Sequence, residues 1–104
     1  MSQLSSFLCV GELKLDQQTG EVWRQDRILK LNPIQYKILN VLAERSPDVV
    51  TRRELEKAVW EHNIPASDAL RTHIYRLRNI LDKPFTSPLI HTMHGRGFQL
   101  AAYG

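Results

Sequence analysis

Ser67–Asp82 reads SDALRTHIYRLRNILD, and its periodicity decides how the rest of the chain is arranged. At about 100° per residue, Leu70, Ile74, Leu77 and Leu81 fall in one narrow stripe. The spacing therefore predicts an amphipathic helix with that stripe against a core. Ser67 is placed to cap it, Asp68 suits the positive end of its dipole, and Asp82-Lys83-Pro84 stops it. The opposite face carries Asp68, Thr72, Tyr75, Arg76, Asn79 and Lys83. Arg71 and Arg78 lie on one flank, His73 and Ile80 on the other. Many surface helices have a polar face. This one mixes arginine, histidine, threonine, tyrosine and asparagine with a single acid in its body, and those residue types contact phosphates and base edges.

Charge placement points the same way. The net charge is only +3, but residues 1–66 carry nine basic and nine acidic side chains and cancel. Residues 67–104 hold Arg71, Arg76, Arg78, Lys83 and Arg96 against Asp68 and Asp82, so the whole excess sits in the last third. Three of the four histidines, His73, His91 and His94, lie there too. Such an asymmetry is a footprint for a polyanion, although basic residues on a helix are also simply solvated.

Upstream of the helix, two capped helices are expected. Asn32-Pro33 with Gln35 three residues after the cap opens one, and Ile34, Ile38, Val41 and Leu42 repeat at helical spacing to about Arg45. After a short extended piece at Val49-Val50, Thr51-Arg52-Arg53-Glu54 forms a capping box for a second helix through about Trp60. Leu55, Val59 and Trp60 are its apolar contacts. Glu61–Ala66 is a polar loop. The first third of the chain alternates instead: Phe7–Val10, Glu12–Asp16, Glu21–Arg24 and Arg27–Leu31 read as a small antiparallel meander. Downstream, Leu89–Met93 and Phe98–Ala102 flank His94-Gly95-Arg96-Gly97, whose glycines permit a tight turn.

A chain of 104 residues has room for one modest core, so a single α+β domain is expected over 1–104. Its parts are a four-stranded antiparallel sheet (1–31), a three-helix core (32–82) and a hairpin (89–102). A hydrophobic fraction of 42% belongs to a folded chain. No apolar run reaches the roughly 20 residues a membrane span needs. MSQLSSFLCV has no basic region before its short apolar stretch, so no secretory signal and a cytosolic location are expected. The one cysteine, Cys9, excludes an internal disulfide framework and reads as a small core residue.

No catalytic or metal chemistry is legible. His91 and His94 have no cysteine or carboxylate at zinc-site spacing, no phosphate-cradling loop occurs, and no triad can be assembled. A non-enzyme without cofactor is expected.

Two stretches together carry a specific resemblance. SDALRTHIYRLRNILD, with its HIxRLR core at His73–Arg78, resembles the recognition helix of the OmpR/PhoB family of winged helix-turn-helix regulators. LIHTMHGRGFQL at Leu89–Leu100 resembles that family's wing. The capped helix at Asn32–Arg45 and Trp60 at the end of the second helix match in order and spacing, so the resemblance spans essentially the whole chain. It implies a winged helix with an N-terminal four-stranded sheet, three helices and a C-terminal hairpin, binding double-stranded DNA in transcription regulation. Helix 67–82 is then expected in the major groove, and wing 89–100 on the adjacent minor groove or backbone.

By the same resemblance, Ala69, Thr72, His73 and Arg76 face the groove, with Arg76 reading a base directly. Tyr75, Arg78 and Thr92 contact phosphates. Arg71 departs from the family, many of whose members have an acid there, and either adds a phosphate contact or is merely exposed. For Arg78 an ion pair with Asp82, four residues on, is an equal alternative. The wing position that is often arginine in the family is His94 here, leaving either His94 or the neighbouring Arg96 for the wing contact. Glu61, His62, Asn63 and Ile64 form the loop implied to touch RNA polymerase. Family members mostly end two-component response regulators, whose receiver domain is absent from this chain, and bind direct-repeat half-sites as head-to-tail dimers. An N-terminal domain of a ToxR/CadC-like membrane regulator and a protein-binding winged helix remain as alternatives.

Overall fold

The computed structural model describes residues 7–103, so residues 1–6 and 104 of the expected domain lie outside the described residues. Four strands come first: β1 (Phe7–Val10), β2 (Leu13–Asp16), β3 (Val22–Arg24) and β4 (Arg27–Leu29). They pair as an antiparallel meander in sequence order. Three helices follow, α1 (Pro33–Arg45), α2 (Arg52–Trp60) and α3 (Ala69–Leu81), and the hairpin β5 (Ile90–Met93) with β6 (Gly97–Leu100) closes the chain. The expected α+β winged helix is the observed fold.

Both predicted capping boxes form. Asn32 Oδ1 accepts from the Gln35 backbone N–H at 2.8 Å, and Gln35 Oε1 accepts from the Asn32 N–H at 3.0 Å. Thr51 Oγ1 accepts from the Glu54 N–H at 3.1 Å, while Glu54 Oε1 accepts from the Thr51 N–H at 2.9 Å. The bond from the Thr51 backbone, joined by its hydroxyl, holds the Glu54 carboxyl below the usual carboxylate range.

The core lies between the sheet and the helices. Val10, Leu13, Leu15 and Val22 meet Ile38, Leu39 and Leu42 of α1, Leu55 and Val59 of α2, and the α3 stripe Leu70, Ile74, Leu77 and Leu81. Leu89, Ile90 and Leu100 carry that core into the hairpin. The α3 stripe is as expected. On α1, Leu39 and Ala43 are buried, whereas Ile34 and Val41 are only half-buried. Apolar residues surround much of that helix, and the positions of the sheet and α3 choose the buried side.

Cys9 is exposed, against its expected core position. Strand alternation explains this: Leu13 and Val10 pair inward, so Cys9 and its cross-strand neighbour Lys14 point outward. The third helix also starts later than expected. Ser67 does not cap it; Asp68 occupies the cap position and makes no side-chain capping bond. Its carboxylate bonds the Arg52 guanidinium instead, a charge-assisted contact stronger than one to a neutral N–H.

The hairpin is shorter than 89–102, because Ala101 and Ala102 leave the ladder. Met93 pairs with Gly97, so only His94-Gly95-Arg96 make the turn. The extended piece at Val50 exchanges two backbone bonds with Phe98, N···O 2.8 and 2.9 Å. That strand-like bridge fixes the base of the hairpin to the α1–α2 connection. Gly97 permits it: a Cβ there would lie 2.1 Å from the Val50 carbonyl oxygen.

Candidate nucleic-acid interface

The exposed face of α3 begins at Asp68 and runs through Arg71, Thr72, Tyr75, Arg76 and Asn79. The core stripe behind it leaves these side chains no other direction. Tyr75 is 62% exposed, an aromatic ring offered to solvent on a polar helix face. Ala69 is half-buried at the first turn.

His73 is less open than expected. Its ring lies 6.0 Å from that of Trp60, tilted by 48°, and its Nδ1 is buried without a hydrogen-bond partner. It therefore joins the α2–α3 contact as well as the edge of the polar face.

Arg78 and Thr92 are brought together. Arg78 Nη2 donates to Thr92 Oγ1 at 2.5 Å, linking α3 to β5. Burial lowers the Arg78 pKa, and the charge of Asp82 opposes that shift. The alternative ion pair between Arg78 and Asp82 is not formed. The Asp82 carboxylate is already engaged by Arg24 Nη1 at 3.1 Å and by the N–H groups of Leu89 and Ile90 at 2.9 and 3.2 Å.

Between α3, the start of α2 and the hairpin runs an open cleft of about 790 Å³. Arg52, Arg71, Tyr75, Arg78 and Thr92 line its walls, with His94 and Arg96 at the wing end. Four arginines from three elements thus converge on one concave surface. His94 and Arg96 are both exposed at the turn, where Gly95 takes a φ of 77°. The α2–α3 loop stands apart from the cleft: Glu61, His62, Asn63 and Ile64 are all exposed, and Ile64 offers 43% of its surface.

Two features escaped the sequence reading. Arg52 appeared only as an interior letter of a capping box, yet its side chain reaches the cleft and pairs with Asp68, and with Glu56 at 3.7 Å. Arg24 is fully buried under α3. It binds Glu12 at 2.9 Å, Asp82, and the carbonyl oxygens of Leu81 and Ser87, with the Phe85 ring 4.6 Å from its guanidinium carbon. The alternation of β3 puts Arg24 on the same inward side as Val22, a signal that pointed to burial. Arg24 and then Gln25 hold the Glu12 carboxyl below its ordinary pKa by hydrogen bonding.

No group of three or more potential metal ligands occurs among the described residues, and none of their helices is long and apolar enough to cross a membrane.

Residues 17–100 match the family described as "Transcriptional regulatory protein, C terminal". The phosphate regulon transcriptional regulatory protein PhoB of Rhizobium meliloti is 32% identical over 98 residues, 93% of this chain and 43% of that protein. The chain thus spans less than half the length of that curated relative. Among solved structures, the DNA-binding domain of CpxR from E. coli superposes with a TM-score of 0.79 at 29% identity, covering 94% of this chain and 98% of that one. The DNA-binding domain of E. coli CadC gives 0.80 at 27% identity, covering 98% and 96%.

Proposed function

Given that the chain belongs to the OmpR/PhoB-type family of C-terminal domains of transcriptional regulatory proteins, we propose that α3 enters the major groove of duplex DNA while the wing touches the adjacent backbone or minor groove. DNA binding in transcription regulation is the function of this family of domains. The observation carrying the placement is the convergence of Arg52, Arg71, Arg78 and Arg96 on the cleft beside the exposed face of α3. A single module of this size reads bases from the helix and anchors on phosphates from its flanks.

Thr72 and Arg76 are the base-facing side chains in this reading, with Ala69 allowing close approach and His73 at the edge. Arg71, Tyr75, Arg78 and Thr92 hold phosphates. Arg96 makes the wing contact, because a permanently charged guanidinium is attracted to the minor groove more strongly than an imidazole. Selection of bound sequences from a random duplex library tests Arg76. Arg76→Ala relaxes the preference at one base position by about 1–3 kcal/mol and leaves the others intact. Uniform weakening across all positions makes Arg76 a phosphate contact and removes it from the readers.

The domain serves as the output module of a longer two-component response regulator in the cytoplasm, binding direct repeats as a head-to-tail pair. The relationship to PhoB and CpxR supports this setting. The similarity to CadC favours a second setting, the DNA-binding end of a ToxR/CadC-like membrane regulator. In either, the exposed Glu61–Ile64 loop is the surface offered to RNA polymerase. Ile64→Ala is expected to reduce activated transcription in a purified system severalfold with duplex affinity unchanged; equal transcription from the variant excludes Ile64 from that contact.

A further inference from the structure

Asp68 is the one acid on the exposed face of α3, and it sits where a groove-bound recognition helix brings its side chains closest to base edges. A carboxylate there faces two penalties: repulsion from the phosphates, and desolvation without a donor. The structure answers the first. Arg52, reaching across from the start of α2, bonds Asp68 Oδ1 and neutralises it locally. The carboxylate is not used as a helix cap, and Oδ2 makes no hydrogen bond among the described residues. The side chain is 44% exposed, so that oxygen is open to a donor from outside.

In the major groove the amino group of cytosine is the donor that a carboxylate accepts without a competing acceptor on the same base. Guanine offers O6 and N7, and thymine offers O4; each repels a carboxylate, so an acid selects by rejection as well as by attraction. We propose that Asp68 is a specificity-determining residue that reads a cytosine amino group through Oδ2, with Arg52 as the positioning residue that fixes the carboxylate through Oδ1. This deepens the reading of α3 as the groove helix and rests on it.

Library selection with wild type, Asp68→Ala and Asp68→Asn tests the assignment. Wild type selects cytosine at one position by on the order of tenfold over the other bases. Asp68→Ala loses that preference alone. Asp68→Asn moves it toward adenine, because an amide both accepts from N6 and donates to N7. Circular dichroism of both surface variants reports that they fold. A preference pattern unchanged in the two variants, or a wild-type preference for another base there, overturns the assignment while leaving α3 in the groove. A wild-type domain that selects no sequence at all overturns the groove reading together with it.

Discussion

Raising the salt from about 50 mM to about 200 mM is expected to lower the affinity of this domain for its duplex by about one to two orders of magnitude. Each phosphate neutralised by a lysine or arginine releases counterions, and the slope of log affinity against log salt is about −0.9 per contact. Arg71, Arg78 and Arg96 line one cleft with Arg52, whose guanidinium is already paired with Asp68 and Glu56. Two to three contacts of this kind, as an order-of-magnitude figure, produce a loss of that size. Fluorescence anisotropy across a salt series measures it. Arg71→Ala, at an exposed position whose loss leaves the core intact, flattens the slope by about 0.9. A protein-binding winged helix gives a nearly flat line instead, and that outcome removes duplex DNA as the partner.

The second large effect lies away from the DNA surface. Asp82→Ala is expected to destabilise the domain by about 3–5 kcal/mol, because it removes one of the two carboxylates paired with the fully buried Arg24 and leaves two backbone N–H groups without their acceptor. Small domains have only about 5–15 kcal/mol in hand, so the melting temperature falls by more than about 10 °C. Arg24→Met is expected to cost less, about 1–2 kcal/mol. Asp82 then keeps its bonds from the Leu89 and Ile90 N–H groups, and Glu12 is open enough to be solvated. Thermal unfolding of the two variants side by side decides the matter. A larger loss for Arg24→Met means that the arginine and not the aspartate is the keystone of the cluster, and equal losses mean that neither outranks the other.

That cluster marks where the sequence stops being readable. The helices were legible because their signals are local: a cap, a reciprocating side chain three residues on, and a stripe at constant angle. Asn32, Thr51 and the Leu70–Leu81 stripe all behave accordingly. The hairpin was legible for the same reason, through glycines bracketing Arg96. Arg24 was not, because its partners Leu81, Asp82 and Ser87 are 57 to 63 residues away and nothing in its neighbourhood names them. The start of α3 misled for a related reason: Ser67 was expected as the cap, whereas Asp68 stands at that position and a distant arginine holds its carboxylate. The exposed strip along α3 followed from helical geometry, but the half-burial of His73 depends on where Trp60 lands.

The bridge between Val50 and Phe98 has a kinetic meaning. A hairpin hinged only at its ends surrenders its freedom when it docks, at a cost on the order of 1 kcal/mol per ordered residue. Here two backbone bonds tie the base of the wing to the helical body, and Gly97 lets the strands approach closely enough to make them. Most of that freedom is surrendered during folding, so that in the proposed complex only the His94–Arg96 tip is left to settle. Encounter with DNA is then governed by charge steering, and differences between good and poor operators appear chiefly in how long the complex lasts.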